Sequence, residues 1–491
     1  MFLSKYRILI CFLIWLSCRN SVQAQLIRES AEVMPQPRLT EYVKTDLMPD
    51  QFGIYPGAVM PFGMVTAGPF NDSSKINGYN RDKQGTHGFS IKTPEVDGCY
   101  RFGGLRINLS TKDSVGFGRE MYTEEVFKPG YYSAFSDQQF IKAEFTTSYR
   151  TAIGRFTSDH DVIYVQIAIG DGIKNLNIIS SNETSGYYQK QNICDSTNQK
   201  VFFYIQFNIP FSGYKSCKDG SGQTSVTFSF NNISGKELMM KTGLSFVSIS
   251  NAQKNLEEEL ENYEFGKVKD DAGFEWEKKL STLKVKGGKE DNKTELYTLL
   301  YQIMIQVNLI NDVNGEYING RGILEKDEEN RKYNIISLRK YYQYMQPLIQ
   351  LTYPELHEEI IKNLSERNIL DSINNLPNKG ELTLNIEIQN RLVVSQILGF
   401  LGLSVNPEDP SRFHLKIPEF EKIIFKPIVN NLPEKQFTIE TRNTDSRSIT
   451  YIQSVILNGG NHSTKEILLN DIAKGGKMLI ITGKKRLTNH R

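Results

Sequence analysis

The side chains that most often carry catalytic chemistry are scattered through this chain. Of the six histidines, no two stand four residues apart, the spacing that places two metal ligands on one helix face. His357 is followed by Glu358 and Glu359, and we interpret this polar run as a surface feature. The glycine-containing segments 102–104 and 170–172 are turns rather than phosphate loops, because no helix start follows either of them. Residue type and spacing alone therefore define no catalytic centre.

The cysteines exclude a complete disulfide framework. Three of them, Cys99, Cys194 and Cys217, follow the N-terminal region, and an odd set cannot pair fully. Cys194 and Cys217 can bridge across a hairpin in an oxidising compartment, and free buried thiols are the alternative. With no Cys-x-x-Cys pair and no Cys/His spacing, we expect no zinc site.

Residues 1–24 have the pattern of a secretory signal peptide. The charged Lys5 and Arg7 precede an apolar core, and the small-residue site at 22–24 follows it. Cys18 raises the alternative of a lipid-anchored signal, but the bulky residues before it favour simple cleavage. The apolar core is too short to span a bilayer, and no later stretch is long enough. We therefore expect an exported protein without a transmembrane segment.

The composition excludes some partners and leaves room for several domains. A net charge of +2 over 491 residues gives no electrostatic signal for nucleic acid. A chain of this length has room for two or three domains. The 24 Tyr and 27 Phe suit a β-rich protein that faces carbohydrate, and they suit any large sandwich equally well.

Residues 25–250 are predicted to form a β domain. Glycine and proline recur through 53–69 between apolar residues, which predicts a buried, turn-rich entry into the domain. The run 162–169 is apolar and β-branched, as in a strand buried on both faces. Similar runs, separated by Gly, Asn and Ser turns, occur at 201–211, 225–230 and 244–249. Many strands without a clear helix predict two packed antiparallel sheets.

Residues 251–288 are predicted to form two linker helices and a short strand. The first helix is the acidic segment 251–263, and Asp270 is the candidate cap of the second. The strand 283–286 ends at two glycines. The predicted apolar stripe of the second helix comprises Phe274, Trp276, Leu280 and Leu283.

Residues 289–404 are predicted to be helical, and 405–491 to form a C-terminal β segment with a tail. A helix over 338–351 is expected to kink at Pro347, and Pro354 is expected to open the next helix. The apolar positions of a further helix are Leu392, Val393, Ile397, Phe400 and Leu401.

Five segments stand out in order along the chain: Y-P-G-A-V-M-P-F-G-M-V at 55–65, K-P-G-Y-Y-S at 128–133, I-K-A-E-F-T at 141–146, D-V-N-G-E-Y at 312–317 and the tail from 402 to 476. They resemble the motifs of glycoside hydrolase family 92, whose members are calcium-dependent exo-acting α-mannosidases of bacteria. The resemblance implies an α+β multidomain protein: an N-terminal antiparallel β-sandwich, linker helices, an (α/α) barrel and a C-terminal β segment.

The helical part is too short for the family's complete barrel of twelve helices. At about 12 residues per helix and about five per connection, such a barrel needs roughly 200 residues. The span 292–404 offers four clear helices and room for a fifth. We therefore expect a reduced remnant of the barrel, whose helices either form a small bundle against the sandwich or leave an exposed apolar face that a protein partner or a second copy covers.

Polar residues of the family motifs are replaced in this chain. Arg339 and Lys340 stand where the family pattern has a Trp-Asp pair. Ile91 and Thr93 stand where it has two histidines, and 100–103 has lost two acids. The resemblance thus implies a retained scaffold whose catalytic chemistry is impaired.

The resemblance leaves few candidate site residues. Inverting glycoside hydrolysis needs an acid and a base, and the family region that carries the acid has no counterpart between 369 and 382. Glu387 keeps an acidic group where the family has its late acidic segment, and is the one candidate base, although an ordinary exposed carboxylate is the favoured interpretation. Tyr79 is the candidate for stacking on a sugar. No metal site or cofactor is expected, since the family's calcium site is interpreted as lost.

The leading hypothesis is an exported protein, periplasmic or at the surface of a Gram-negative bacterium, that binds a mannoside, an N-glycan or a protein partner through the sandwich without cleaving it. One alternative is an active exo-α-mannosidase that uses Glu387 with another carboxylate such as Glu381, or whose barrel an oligomer completes. The other is a decayed product without a selected function.

Overall fold

The computed structural model describes residues 37–45, 55–71, 78–80, 86, 88–94, 104–113, 122–169, 173–191, 198–218, 224–334, 338, 344–365, 381–426, 428–429, 432–433, 435–443, 451–463 and 465–484. The predicted signal peptide lies outside these ranges, as do Cys18, Cys99 and Cys194, so the pairing of Cys194 stays open; Cys217 is a free, half-buried thiol. In the described part of the chain, no helix is long and apolar enough to cross a membrane.

A β-sandwich forms the N-terminal half of the described chain, after a 3₁₀ helix at Leu39–Tyr42. Its strands are β1 Ala58–Val59, β2 Thr66–Pro69, β3 Phe89–Lys92, β4 Leu105–Ser110, β5 Thr123–Lys128, β6 Tyr131–Ser136, β7 Ile141–Thr147, β8 Thr151–Ser158, β9 Val162–Ile169, β10 Ile173–Ile178, β11 Glu183–Gln191, β12 Asn198–Phe207, β13 Gly213–Lys218, β14 Thr224–Asn231 and β15 Glu237–Ser245. One sheet has the order β1-β2-β3-β4-β9-β14-β13, and the other β10-β11-β12-β15-β8-β7-β6-β5. The described strand pairs within both sheets are antiparallel, which confirms the predicted sandwich.

The alternation of side chains builds the sandwich core. In β9, Ile163, Val165 and Ile167 are buried in the core that both sheets share, and the strand has the bounds that the sequence predicted. The predicted strand at 244–249 was wrong in its bounds. β15 ends at Ser245, and Ser248 accepts a hydrogen bond from the Asn251 amide (3.1 Å), which caps a helix instead.

Two helices, α1 (Ile249–Glu259) and α2 (Phe265–Leu280), pack on the second sheet and lead out of the sandwich. The predicted cap at Asp270 was wrong, because α2 begins five residues earlier and Asp270 lies inside it. Phe274 was wrongly placed in the buried stripe and is 67% exposed. A helix that buries Trp276 and Leu280 turns Phe274 about 200° away from Trp276, onto the solvent side.

The helical module comprises α3 (Glu290–Met304), α4 (Gln346–Thr352), α5 (Pro354–Ser365) and α6 (Glu381–Phe400). Pro354 opens a helix as predicted. Pro347 lies in the first turn of α4, where its missing N–H costs no hydrogen bond, and the predicted kink within 338–351 stays a prediction because 339–343 lie outside the described residues.

Two further expectations for the module were wrong. Residues 289–404 are not wholly helical, because β17 (Glu316–Ile318) and β18 (Leu324–Lys326) form a hairpin after α3. Leu392 is 60% exposed, whereas Val393 and Ile397 are buried. Val394 and Leu398 are also buried, so the buried face of α6 is rotated relative to the predicted stripe.

A C-terminal β region follows, as predicted. Its elements, with the linker strand β16, are β16 Leu283–Lys286, β19 Leu403–Val405, β20 Arg412–Leu415, β21 Lys422–Phe425, β22 Ile428–Val429, β23 Leu432–Pro433, β24 Phe437–Asn443, β25 Tyr451–Leu457, β26 Gly460–His462, β27 Glu466–Leu468, helix α7 Leu469–Ala473 and β28 Gly476–Gly483. One sheet has the order β16-β21-β24-β28-β25-β26, in which β24 and β28 are parallel. Because β16 directly follows α2, this sheet joins the linker to the C-terminal region.

Candidate functional site at the junction of the sandwich and the helices

The signature segment 55–69 joins the sandwich to the helical module. Phe62 is buried with a positive φ of 62°, a conformation that non-glycine residues rarely adopt. Its amide donates to the carbonyl of Met304 (3.1 Å), its carbonyl accepts from the Leu309 amide (3.2 Å), and its ring meets Tyr353 edge-on at 5.7 Å. Phe62 is therefore a wedge that holds α3 and α4 against the sandwich.

Close backbone approach explains one glycine of the signature. A Cβ on Gly57 would lie 2.3 Å from the Tyr55 ring and 2.5 Å from the Ala67 carbonyl oxygen. The Tyr55 hydroxyl donates to the Pro69 carbonyl (2.9 Å) and lies 3.0 Å from the Ser90 hydroxyl, and burial raises its pKa. These contacts keep the first strands of the sandwich together.

Asp312, from the segment D-V-N-G-E-Y, is the acceptor of a buried network that we call the Asp312 hub. Its carboxylate accepts hydrogen bonds from Ser245 Oγ (2.6 Å), Asn251 Nδ2 (2.9 Å) and Asn255 Nδ2 (2.7 Å). Burial raises the pKa of Asp312, and these hydrogen bonds oppose the rise. The donors come from β15 and α1, so the hub joins the sandwich to the chain that follows α3.

Arg150 extends the hub from the sandwich side. Its Nε donates to the Asn311 carbonyl (2.6 Å), and its Nη1 lies 2.9 Å from Glu259 Oε1. Sandwich, linker and helical module are thus connected through side chains that have their partners within the protein.

A second carboxylate of the shared motifs, Glu144, is also engaged. It is 3% exposed, accepts from the Tyr131 hydroxyl (2.7 Å) and pairs with Arg155 (2.9 Å). Burial raises its pKa, but the hydrogen bond from Tyr131 and the charge of Arg155 more than offset this, so the pKa lies below its ordinary value. The geometry assigns Glu144 to stability.

A different group of charges, which we call the Lys279 cluster, lies at the same junction and comprises Lys279, Arg331, Glu275 and Glu355. Burial, reinforced by the like charge of Arg331, lowers the pKa of Lys279, and the two carboxylates offset only part of that effect. The Lys279 ammonium lies 5.9 Å from the centre of the Phe62 ring. No sequence motif indicated this cluster, because its members come from separate elements.

Tyr333 and Glu359 adjoin the cluster. The buried Tyr333 hydroxyl donates to Glu359, and its backbone amide donates to Asn363 Oδ1 (3.1 Å). The interpretation of Glu359 as a plain surface residue was therefore wrong. Its neighbour Glu358 is exposed, whereas His357 is partly buried with a lowered pKa.

Most of the sequence-predicted site residues lie outside the described side chains, so their position relative to the junction stays a prediction. The backbone of Glu387 and Glu381 belongs to α6, but their side chains lie outside the described residues, as do Arg339, Lys340 and 100–103. Tyr79 is half-buried and lies close enough to Tyr55 to affect its pKa.

The positions of the replaced histidines belong to the sandwich framework. Ile91 is fully buried in the core, and Thr93 Oγ1 accepts from Lys190 Nζ at 2.5 Å. Lys92, between them, is 1% exposed, with its ammonium 4.9 Å from the Tyr55 ring centre.

The described residues do not fit a calcium ion. Calcium takes about six to eight oxygen ligands, usually including several carboxylates. Within the described ranges, no three His, Cys, Asp or Glu side chains are grouped so that they could hold a metal. In the Asp312 hub, the amide nitrogen of Asn251 donates to both Asp312 and Glu316 (2.9 and 2.8 Å), and so occupies the place between the carboxylates. No chemistry is therefore assigned to a metal here.

Fold and junction together define a class of protein: a two-sheet β-sandwich locked by a glycine- and proline-rich signature onto a helical domain with a C-terminal β region. Two family models match, the glycosyl hydrolase family 92 N-terminal domain over residues 45–245 and the glycosyl hydrolase family 92 catalytic domain over 251–378. The chain belongs to glycosyl hydrolase family 92.

Solved structures agree with this fold. The family GH92 α-mannosidase BT3965 from Bacteroides thetaiotaomicron matches with a TM-score of 0.76 at 15% identity, over 91% of this chain and 95% of that one. The family GH92 inverting mannosidase BT2199 from the same organism matches with 0.73 at 11%, over 91% and 97%. The GH92 family glycosyl hydrolase ccman5 matches with 0.70 at 11%, over 91% and 98%. No curated protein matches. At these identities, the solved structures establish the fold alone.

Proposed function

We propose that this protein is an exported member of glycosyl hydrolase family 92 that binds mannose-terminated carbohydrate and does not cleave it. Membership of the family supports carbohydrate as the ligand class. One of the solved relatives, BT3965, has a structure in complex with mannoimidazole. The loss of hydrolysis is inferred from this chain's own carboxylates.

The observation that carries the proposal is the state of the carboxylates in the shared motifs. Glu144 and Asp312 are 3% and 1% exposed and are held by internal donors, so neither reaches a substrate. Glu316 accepts from Asn251, and this hydrogen bond lowers its pKa, which keeps it ionised near neutral pH. Inverting hydrolysis needs a carboxylic acid that is still protonated when the leaving oxygen arrives. None of these three side chains meets that need.

Tyr79 supports the binding part of the proposal. It is half-buried beside Tyr55, and the next residue is fixed because the Asn80 amide donates to Asn71 Oδ1 (2.7 Å). An aromatic ring held in this way offers an apolar face to a sugar, with polar groups at its edge. We propose Tyr79 as the stacking residue.

The first experiment tests catalysis. Release of mannose from an α-linked mannose disaccharide is measured with excess calcium, and none is expected. Release that Glu387→Gln abolishes and that Glu358→Gln, an exposed control, leaves intact would replace this proposal by the active mannosidase.

The second experiment tests binding by isothermal titration with mannose-terminated glycans. Tyr79→Ala is expected to weaken binding by about 3–10-fold, since aromatic contacts contribute about 0.5–1.5 kcal/mol. Tyr187→Ala, a half-buried tyrosine of the other sheet, is the matched control and should bind as the wild type does. No heat with millimolar glycan would end the binding proposal, and broad, non-cooperative melting would indicate a decayed product.

The helical module supports a further part of the proposal, a protein partner or second copy over its exposed apolar residues. Leu392 is 60% exposed and Ile361 42% exposed, on α6 and α5. Sedimentation of the full chain is expected to show self-association that Leu392→Asp reduces. If the chain sediments as a monomer with and without the substitution, a second copy is excluded and only a different protein remains as the partner.

A further inference from the structure

The segment that carries Tyr79 is tied on both sides of that residue to one asparagine, Asn71. β2 ends at Pro69, and the Phe70 amide donates to the Gly88 carbonyl (2.9 Å), which continues the pairing of β2 with β3 by one more residue. Asn71 follows directly and is 6% exposed. The framework of the first sheet therefore sets the position of Asn71.

The side-chain amide of Asn71 holds Asn80 in the way that a neighbouring strand would. Asn71 Oδ1 accepts from the Asn80 amide (2.7 Å), and Asn71 Nδ2 donates to the Asn80 carbonyl (2.9 Å). Two residues that face each other in an antiparallel sheet exchange the same pair of hydrogen bonds. A primary amide can supply both, because it carries an acceptor and a donor on one carbon.

Asn71 also holds the residue on the other side of Tyr79. The Asn71 backbone amide donates to the Gly78 carbonyl (3.0 Å), and Gly78 turns the chain with a positive φ of 78°. Burial raises the pKa of Tyr55, and the nearby Tyr79 adds to this rise, so the two side chains are neighbours. The backbone that directs the Tyr79 ring is therefore fixed before any ligand arrives.

We propose that Asn71 is the positioning residue for Tyr79, and that its side-chain amide preorganises the ring on which a mannose-terminated glycan stacks. This inference rests on the proposed function. Asn71 is buried, and both polar atoms of its amide are used within the protein, so it acts through Tyr79 and does not touch the sugar. A ring that is already held in place loses less conformational freedom on binding, which raises the affinity.

Isothermal titration with mannose-terminated glycans tests whether the two side chains act together. Asn71→Ala is expected to weaken binding by about 2–10-fold, and by no more than Tyr79→Ala does, because its effect passes through that ring. In a chain that already carries Tyr79→Ala, Asn71→Ala should weaken binding no further. A single variant that binds as tightly as the wild type, or an equal further loss in the double variant, would overturn the proposal.

Asn208→Ala is the matched control. Asn208 follows β12 of the second sheet and also holds backbone groups, since it accepts from the Met239 amide (2.8 Å) and donates to the Glu237 carbonyl (2.9 Å). The hydrogen bonds lost are of the same kind, so Asn208→Ala should bind glycan as the wild type does. A weakening equal to that of Asn71→Ala would show that both act only through overall stability, and would contradict the positioning role.

Measurements without glycan separate failure of this inference from failure of the proposed function. In the wild-type chain, the Asn80 amide is expected to exchange its hydrogen at least about 10-fold more slowly than it would in an unstructured peptide. With fluorotyrosine incorporated in place of Tyr79, the fluorine NMR resonance should be single, and Asn71→Ala should broaden or split it.

These measurements decide the role of Asn71 even where no glycan binds. No heat from the wild type with millimolar glycan would end the proposed function only. An unprotected Asn80 amide, or a fluorine resonance that Asn71→Ala leaves unchanged, would end the positioning proposal.

Discussion

The Asp312 hub and the Lys279 cluster lie at the same domain junction but differ in how completely their charges are satisfied. Asp312 accepts three side-chain hydrogen bonds, and Arg150 beside it has both a carboxylate and a carbonyl partner. Lys279 is partly desolvated next to another cation and, among the described residues, forms no ion pair.

This difference separates a fully satisfied buried network from a partly satisfied group of charges. The hub belongs to a segment shared with the family, and its donors are consumed by the protein itself. The Lys279 cluster lies outside the shared motifs, and its two carboxylates offset only part of the effect of burial and of the neighbouring cation. At this junction, the shared signature segments therefore coincide with structural contacts.

Removing the centre of the hub is expected to have the largest effect. Asp312→Ala leaves the Ser245, Asn251 and Asn255 donors without their acceptor, and should lower the free energy of unfolding by about 3–4 kcal/mol. Urea unfolding followed by tryptophan fluorescence measures the change. Glu316→Gln, which keeps an acceptor for Asn251, is the control. A loss below about 1 kcal/mol for Asp312→Ala would show that the Asp312 hub contributes little to stability.

A somewhat smaller loss is expected at the signature. Gly57→Ala places a Cβ 2.3 Å from the Tyr55 ring and 2.5 Å from a backbone oxygen, which forces strands apart and should cost about 2–3 kcal/mol. The matched change Gly266→Ala in α2 has open space and should be neutral or stabilising by up to about 1 kcal/mol. Equal unfolding midpoints for the two variants in the same urea titration would show that the backbone around Gly57 is not closely packed.

Glu144 gives a pH-dependent prediction. Because its pKa is lowered on folding, its contribution is present above the ordinary value of 4.5 and is lost as pH falls through the lower folded value. Glu144→Gln should therefore cost about 1–2 kcal/mol at neutral pH, and should flatten the decline of stability on acidification below 4.5. Stability measured across this range checks both. An unchanged slope would show that Glu144 does not titrate differently in the folded state.

The smallest effect is expected in the Lys279 cluster. Lys279→Met removes a partly desolvated cation without breaking an ion pair, so the free energy of unfolding should change by less than about 1 kcal/mol, in either direction. Guanidinium salts would mask this charge effect, so urea is the denaturant. A loss as large as that of Asp312→Ala would mean that the two regions play the same structural part.

Local patterns in the sequence predicted where helices and strands lie better than they predicted which face of each is buried. The β-branched run of β9 gave its bounds, and the paired glycines after β16 gave the end of that strand. Phe274 and Leu392 fit helical spacing, yet both face solvent, because spacing defines a stripe without saying which stripe meets the core. Pro347, which the sequence suggested as a kink, lies in the first turn of α4.

The junction was harder to predict than the sandwich. Lys279 lies more than fifty residues from Arg331, and neither belongs to a motif that chemistry alone would single out. The sequence indicated the Asp312 hub only in part. The segment D-V-N-G-E-Y resembles a family motif, but no sequence pattern pointed to the donors on β15 and α1. Tyr79 and Glu387 stay predictions.

The sequence by itself predicted the two-sheet sandwich and the linker helices, because hydrophobic periodicity and turn chemistry act over a few neighbouring residues. The resemblance to the α-mannosidases was carried separately, by its motifs. Only the tertiary structure decided which charges are satisfied, since Asp312 and Lys279 depend on partners brought together from distant strands and helices. Their partners distinguish them: Asp312 is buried with its donors in place, whereas Lys279 is partly buried and forms no ion pair among the described residues.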